Sequence, residues 1–143
     1  IITVPDETLK KISDPLEKVS NNEKKLVNIV NINFTYLVCF LSFFLEDFEK
    51  KNNGFLICIS SVAGLRGRGK NFIYGSAKAA LTTFMSGLRN YFNETNIFIM
   101  TVLPGFIISN KDPNTTKMNL LSIKPSNLAQ KIFLAHKEKK QIL

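Results

Sequence analysis

Cysteine and histidine are scarce in this chain, which has two cysteines and one histidine among 143 residues. Cys39 and Cys58 form no CxxC pair and lie in apolar runs, so we expect buried free thiols rather than a disulfide framework or a zinc site. His136 is expected on the surface of a lysine-rich helix, and a single histidine excludes a multi-histidine metal centre. The sequence therefore predicts no metal site.

A cleavable signal pattern, a linker, internal repeats and a membrane-spanning run are also missing. The apolar run at residues 36–45 is shorter than the ~20 residues that cross a bilayer, so we expect no transmembrane span. Together with the free thiols, these features favour a cytoplasmic protein. With 45% hydrophobic and 21% charged residues, we expect residues 1–143 to form a single domain.

Acidic residues are outnumbered, 11 against 19 lysines and arginines, which gives a formal net charge of +8. The basic residues are scattered in short clusters and do not alternate with aromatic residues as in a nucleic-acid-binding module. We therefore expect no nucleic-acid partner. The alternative that part of the charge binds an anionic cofactor or substrate stays open.

Apolar strand-like runs alternate with segments that have helical periodicity. The predicted helices cover residues 22–51, 73–93 and 125–139, and the predicted strands cover residues 1–4, 55–59, 97–103 and 141–143. This order predicts an α/β fold, with a doubly wound parallel sheet and helices on both faces. Ligands bind at the carboxyl ends of such strands, which directs attention to the loops after residues 59 and 103.

The first of these loops contains Ser61, and the following helix begins with Tyr74 and Lys78. Tyr74 and Lys78 are four residues apart and therefore share one helical face. A phenol is a poor acid or base at neutral pH, but a neighbouring ammonium favours its phenolate form. Such a pair suits proton transfer in a carbonyl/alcohol interconversion, and a serine hydroxyl can stabilise charge on the same oxygen.

Four motifs resemble those of the short-chain dehydrogenase/reductase family. They are NFT (33–35), ISSVAG (59–64), YGSAK (74–78) and LPG (103–105), and their separations agree with the family's Asn–Ser–Tyr–Lys tetrad. The resemblance implies a partial Rossmann-type fold and an NAD- or NADP-dependent oxidoreductase that acts on a small carbonyl or alcohol compound. It also implies a homo-oligomer.

The resemblance implies a catalytic role for four residues. Tyr74 would be the general acid/base, and Lys78 would favour the phenolate form of Tyr74. Ser61 would orient the substrate carbonyl, and Asn33 would hold a water of a proton relay. Asn31 is a neighbouring candidate for this last role.

The same resemblance implies a set of cofactor contacts. Tyr74 and Lys78 would lie at the nicotinamide ribose, and Pro104 and Gly105 would shape the nicotinamide pocket. Ser109 stands near the position of the family's carboxamide-binding threonine and keeps a hydroxyl. The sequence of residues 60–81 resembles that of decaprenylphosphoryl-ketopentose reductases. This resemblance implies a keto-sugar or lipid-linked substrate.

The family's glycine-rich TGxxxGxG turn and first βαβ units have no counterpart in this sequence. We therefore expect a truncated domain, and the alternative to an enzyme is a non-catalytic remnant that acts through helix-mediated association. Residues 64–70 also fit the GxxxxGK part of a phosphate-binding P-loop. Asn71 stands where that motif needs Ser or Thr, so we favour an exposed basic loop near the active-site mouth.

Overall fold

The computed structural model of the chain describes residues 23–108 and 122–143. Its helices are α1 (Glu23–Val30), α2 (Tyr36–Lys51), α3 (Phe72–Tyr91) and α4 (Pro125–Lys137), and its strands are β1 (Gly54–Ile59), β2 (Ile97–Val102), β3 (Phe106–Ile107) and β4 (Ser122–Ile123). A π-helical segment, Asn31–Thr35, joins α1 directly to α2, and a 3₁₀ turn, Val62–Gly64, follows β1. The three predicted helices and the two central strands are confirmed within a few residues at each end.

The long first helix ends where the Asn-Asn-Gly sequence predicts. Asn52 adopts a left-handed conformation with φ of 43°, which asparagine tolerates better than most residues, and its amide donates to the carbonyl of Phe48 at 2.8 Å. Gly54 has φ of 151°, and a Cβ there would lie 2.6 Å from the Phe48 ring. The turn therefore depends on glycine, and it directs the chain straight into β1.

Strands β1 and β2 pair in parallel, with Gly54 opposite Ile97 and Ile59 opposite Val102. The predicted final strand is reduced to a single parallel bridge, between Thr101 and Ile142. It is held by hydrogen bonds that include Leu143 N to the Thr101 carbonyl at 3.1 Å. The chain end thus lies beside β2, on the side away from β1, and β2 is the central strand of this described sheet.

Alternate residues of β2 point into two separate cores, one on each face of the sheet. The first core lies under α3, and its buried members are Cys58, Leu81, Met85, Leu88, Phe92, Ile97 and Ile99. The second lies under α4, and its buried members are Met100, Val102, Leu128 and Ala135. The predicted parallel sheet with helices on both faces is therefore confirmed for the described residues.

Four local features differ from the predictions. Cys39, expected to be buried, is exposed, because Leu37, about half a turn away on the helix, faces the core under α3. The continuous apolar run at residues 55–59 is typical of a strand covered on both faces, but Phe55 and Ile59 of β1 are 58% and 48% exposed. His136, expected on the surface, packs against the rings of Phe55 and Phe98, with centroids 4.8 and 5.2 Å away. The short parallel pair of β3 and β4 was not predicted, because two-residue strands carry no periodicity. The predicted strand at residues 1–4 lies outside the described residues.

The helix from Lys25 to Lys51 is longer than the apolar run suggests. Its 27 residues include an 18-residue window with a mean hydropathy of 1.7, so by length and composition alone it could cross a membrane. The ten-residue run at residues 36–45 therefore understates the apolar length of this helix. One side of this helix nevertheless packs against the α3 core through Phe34, Leu37, Leu45 and Phe48, as a helix that covers a sheet does.

Candidate active site

The loops that follow β1 and β2 meet at the carboxyl ends of the two strands. The amide of Ser60 donates to the carbonyl of Val102 at 2.8 Å, and that of Val62 donates to the carbonyl of Pro104 at 3.2 Å. Between these loops and the start of α3 lies a cleft of about 760 Å³, here called the carboxyl-end cleft. Its walls consist of Ile59, Ser60, Ser61, Val62, Ala63, Arg68, Asn71, Tyr74, Lys78, Pro104, Gly105, Phe106 and Ile107.

Two glycines allow the 3₁₀ turn to lie directly on α3. A Cβ at Gly64 would lie 2.7 Å from the Ala79 amide nitrogen, and a Cβ at Gly75 would lie 2.8 Å from the carbonyl oxygen of Ala63. Both distances are shorter than a side chain tolerates, so glycine is required at each position. This close contact brings the loop with Ser61 to the face of α3 that carries Tyr74 and Lys78.

Lys78 is a largely buried charged side chain, with only 8% of it exposed. Its Nζ donates to the Ile59 carbonyl at 3.3 Å and lies 5.7 Å from the centre of the Tyr74 ring. Burial lowers the pKa of Lys78 below its ordinary value of 10.5, while the neighbouring Cys58 opposes that shift. An ammonium has three donors, so further hydrogen bonds to a ligand remain open to it.

The two adjacent serines of the loop differ in how their hydroxyls are used. Ser60 donates to the Lys78 carbonyl at 3.0 Å and lies 2.8 Å from the Thr82 hydroxyl. The Ser61 oxygen accepts from the Ala63 amide at 3.1 Å, which leaves its O–H as a donor towards the cleft. Ser60 is therefore part of the packing of the loop on α3, whereas the Ser61 O–H donates to no other residue that the structure describes.

Asn33 lies at the centre of the π-helical segment and is half-buried. Its side-chain nitrogen donates to the Ile29 carbonyl, four residues earlier, at 2.9 Å. This bond leaves the side-chain oxygen as the group that remains available. The π-helical segment contacts α3, the helix that carries Tyr74 and Lys78. Asn33 itself is not among the described residues that line the carboxyl-end cleft.

The predicted cofactor contacts fall into two groups. Tyr74, Lys78, Pro104 and Gly105 all line the carboxyl-end cleft. Ser109 lies outside the described residues. The structure thus gathers four of the five predicted contacts, from the helix α3 and from the loop after β2, around one cavity.

The sequence did not reveal the hydroxyl groups that hold the loop on α3, or which residues of the basic loop line the cleft. Thr82 donates to the Lys78 carbonyl at 2.9 Å and is four residues from Lys78, a spacing that could have indicated the contact. Arg68 and Asn71 line the cleft with Tyr74. The basic loop of Arg66, Arg68 and Lys70 was predicted near the active-site mouth, with none of the three singled out. Nothing in the sequence distinguishes Arg68 from Arg66 or Lys70.

The opposite end of α3 carries a second tyrosine and a second basic residue, both with partners. The Tyr91 hydroxyl donates to Glu49, and this bond, with the Glu49 charge, raises the pKa of Tyr91 above its ordinary value of 10.0. The Arg89 guanidinium donates to the buried Thr101 hydroxyl at 2.6 Å, and burial lowers its pKa. A second cavity of about 550 Å³ lies at this end, lined by Arg89 and several asparagines.

The sequence matches the model of the short chain dehydrogenase family over residues 11–119. That match covers more than half of the chain and includes all of the motifs quoted above. It also includes Ser109, whose structure is not described.

Characterised and uncharacterised relatives agree with this match. An uncharacterised oxidoreductase of Mycobacterium tuberculosis is 35% identical over 103 residues, which is 72% of this chain and 41% of the relative. Retinol dehydrogenase 8 of Homo sapiens is 33% identical over 95 residues, 66% of this chain and 30% of the relative. The chain therefore spans less than half the length of these relatives.

Solved structures share the arrangement of helices and strands. A short-chain dehydrogenase from Sphingobium yanoikuyae in complex with NADPH superposes with a TM-score of 0.70 at 18% identity, covering 79% of this chain and 45% of that one. The closed form of serine dehydrogenase complexed with NADP⁺ gives a TM-score of 0.65 at 22% identity, covering 73% and 46%. At these identities the likeness concerns the fold, and it confirms the predicted partial Rossmann-type α/β architecture.

Proposed function

Because the chain belongs to the short-chain dehydrogenase family, we propose that it is the catalytic part of an oxidoreductase that interconverts carbonyl and alcohol compounds with NAD or NADP. One observation carries the proposal: Ser61, Tyr74 and Lys78 come from two separate elements and line a single cleft. That cleft lies at the carboxyl ends of parallel strands, where α/β folds bind their ligands.

The cleft offers a proton donor, a second hydrogen-bond donor and a cation. The Tyr74 hydroxyl would give its proton to the substrate oxygen during reduction and take it back during oxidation. The free O–H of Ser61 would donate to the same oxygen as negative charge develops on it. Lys78, held 5.7 Å from the Tyr74 ring centre, would favour the phenolate form that exists after proton transfer.

The residues of the cleft fit a nicotinamide cofactor. Lys78 keeps donors for the hydroxyls of a ribose, since only the bond to the Ile59 carbonyl uses it among the described residues. Pro104 and Gly105 form the wall next to β2, where a flat ring can lie against backbone. When bound, the cofactor supplies or accepts the hydride. The structures with NADPH and NADP⁺ that share this fold support the assignment of NAD or NADP.

Two predicted roles remain predictions. Asn33 would act through a water, because its free side-chain oxygen belongs to a segment that does not line the cleft. Ser109 would contact the carboxamide from the loop beyond the described residues. A keto-sugar or lipid-linked substrate also stays a prediction.

We propose that the protein is a homo-oligomer that associates through one face of α1 and α2. Large apolar side chains on these helices are exposed, among them Tyr36, Phe40, Phe43 and Phe44 at 59%, 60%, 81% and 43%. Their spacing of three and four residues puts them in one stripe. A stripe of this kind is typical of an interaction surface, and the non-catalytic alternative would depend on it alone.

Both cysteines are free, which supports a reducing, cytoplasmic location.

The activity is tested on the complete gene product, with any residues encoded before Ile1 included. It should oxidise NADH or NADPH only when a carbonyl compound is present, with one alcohol formed per cofactor consumed, measured at the cofactor absorbance band. Lys78→Ala should raise the KM for the cofactor and lower kcat, because it removes both the ribose donor and the cation beside Tyr74. Cofactor binding without turnover over a broad panel of ketones and aldehydes would favour the non-catalytic alternative.

A further inference from the structure

Arg68 is the one charged side chain of the carboxyl-end cleft, among the described residues, that the proposed chemistry leaves without a role. The charged residues that line the cleft are Lys78 and Arg68, and no carboxylate of the described residues lines it. We propose that the cleft takes a carbonyl or alcohol substrate bearing a phosphate or carboxylate group, and that Arg68 binds this group. This inference rests on the proposed function and names its substrate class.

The backbone of Arg68 is tied to the helix that carries Tyr74. The Asn71 amide donates to the Arg68 carbonyl at 3.1 Å, and the Gly75 amide donates to the Asn71 carbonyl at 2.9 Å. These two bonds join the turn of Arg68 to the first turn of α3, one residue beyond Tyr74. The backbone position of Arg68 relative to the first turn of α3 is therefore set by local hydrogen bonds, and its exposed side chain is long enough to turn towards a ligand in the cleft.

The neighbours of Arg68 in the sequence do not share its position. Arg66 and Lys70 belong to the same exposed loop, but only Arg68 of these three lines the cleft. Gly67 and Gly69 on either side have open space around them, so the loop is not pressed into place by packing there. The position of Arg68 in the wall of the cleft thus distinguishes it from the other basic residues of this loop.

The remaining surroundings favour an anion with an apolar body. Ile59, Val62, Phe106 and Ile107 supply apolar walls, and the amino-terminal end of the 20-residue helix α3 carries a partial positive charge. A guanidinium binds phosphate or carboxylate through two parallel hydrogen bonds, which a lysine cannot reproduce. The apolar walls would hold the carbon skeleton while Arg68 holds the charged end.

The test compares matched ketones that differ in charge: 4-acetylphenyl phosphate with 4-methoxyacetophenone, and 4-acetylbenzoate with its methyl ester. The complete protein should prefer the anionic member of at least one pair by roughly ten- to a hundredfold in kcat/KM, the range of a hydrogen bond to a charged group. Arg68→Leu should bring that ratio close to one, Arg68→Lys should restore part of it, and Arg66→Leu, which removes the same charge outside the cleft, should leave it in place. Added salt should reduce the ratio, since the site is open to solvent.

A ratio near one in the wild type, or a ratio that Arg68→Leu does not change, would overturn this inference and leave the proposed function intact. Absence of turnover of every ketone would count against the proposed function instead. In that case ligand-observed NMR with 4-acetylphenyl phosphate decides the inference on binding. Binding that Arg68→Leu abolishes and Arg66→Leu retains supports it, and any other binding result overturns it.

Discussion

The two ends of α3 carry similar residues in opposite states. At its start, Tyr74 and Lys78 lie beside a cleft, and Lys78 uses one of its donors on the Ile59 carbonyl. At its end, the Tyr91 hydroxyl donates to Glu49 and the Arg89 guanidinium donates to Thr101. A buried or half-buried polar group normally has a partner, so groups with spare donors at a cavity are the ones available to a ligand.

The same distinction separates Ser60 from Ser61. Of the serine, glycine and pH tests described next, the serine substitutions should have the largest effect on turnover. Ser61→Ala removes the free donor and should lower kcat/KM by about 10²–10³-fold. Ser60→Ala removes a bond to the Lys78 carbonyl and should lower the free energy of unfolding by about 1 kcal/mol, with a smaller loss of turnover. Steady-state kinetics and urea unfolding of both variants measure this. Equal effects of the two substitutions on turnover would remove the distinction.

Glycines at the two ends of α3 extend the comparison to packing. A Cβ at Gly75 would lie 2.8 Å from the Ala63 carbonyl oxygen, whereas at Gly87 it would meet nothing within 4 Å. Gly75→Ala should therefore destabilise the protein by about 1–3 kcal/mol and displace Ser61 from Tyr74. Gly87→Ala should stabilise it by about 0.5–1 kcal/mol, because alanine loses less backbone entropy in a helix.

Chemical denaturation of the two glycine variants measures both expected changes in the free energy of unfolding, a decrease for Gly75→Ala and an increase for Gly87→Ala. A destabilising Gly87→Ala would mean that this part of α3 is in contact with another part of the protein. A neutral Gly75→Ala would mean that the 3₁₀ turn can move away from the helix.

A smaller effect is expected in the pH dependence of stability, through Lys78. Its pKa in the folded protein lies below 10.5, so between the lowered pKa and 10.5 the unfolded chain binds more protons than the folded protein. The free energy of unfolding therefore gains a contribution that rises with pH in this window. Lys78→Met removes it, so wild-type stability should increase relative to the variant as the pH rises towards 10.5.

Burial raises the thiol pKa of Cys58 above 9.0, so its contribution to the free energy of unfolding falls as the pH rises. Cys58 is present in both proteins, and subtracting the stability of Lys78→Met from that of the wild type therefore removes most of this contribution. Lys50→Met, at an exposed lysine of α2, is the matched control and should follow the wild type. A wild-type minus Lys78→Met difference that stays constant as the pH rises to 10.5 would contradict the lowered pKa of Lys78 in the folded protein.

Periodicity and turn residues were sufficient to predict the main elements of this fold. The apolar steps of α3 and the Asn-Asn-Gly stop before β1 are local signals, and local signals survive in a single sequence. The π-helical segment, Asn31–Thr35, is a change of one residue in a helical repeat, and it leaves the apolar pattern almost intact. The contact of His136 with Phe55 and Phe98 depends on how α4 crosses the sheet, which no nearby residue encodes.

The candidate site was predictable where it depends on spacing. Ser61, Tyr74 and Lys78 were identified from their separations and the family resemblance, and the structure places all three on one cleft. The use of the Ser60 hydroxyl was not predictable, since its acceptor, the Lys78 carbonyl, is 18 residues away. The contact of the π-helical segment of Asn33 with α3 likewise depends on the packing of two helices, and not on any motif.

Tyrosine to phenylalanine substitutions at the two ends of α3 test the central claim most directly. Both remove one hydroxyl from the same helix, and Tyr91 is 67% exposed with its hydroxyl bound to Glu49. In carbonyl reduction by the complete protein, Tyr74→Phe should lower kcat by about 10²–10⁴-fold, the contribution of a general acid/base, while Tyr91→Phe should match the wild type. Turnover retained by Tyr74→Phe would contradict the account.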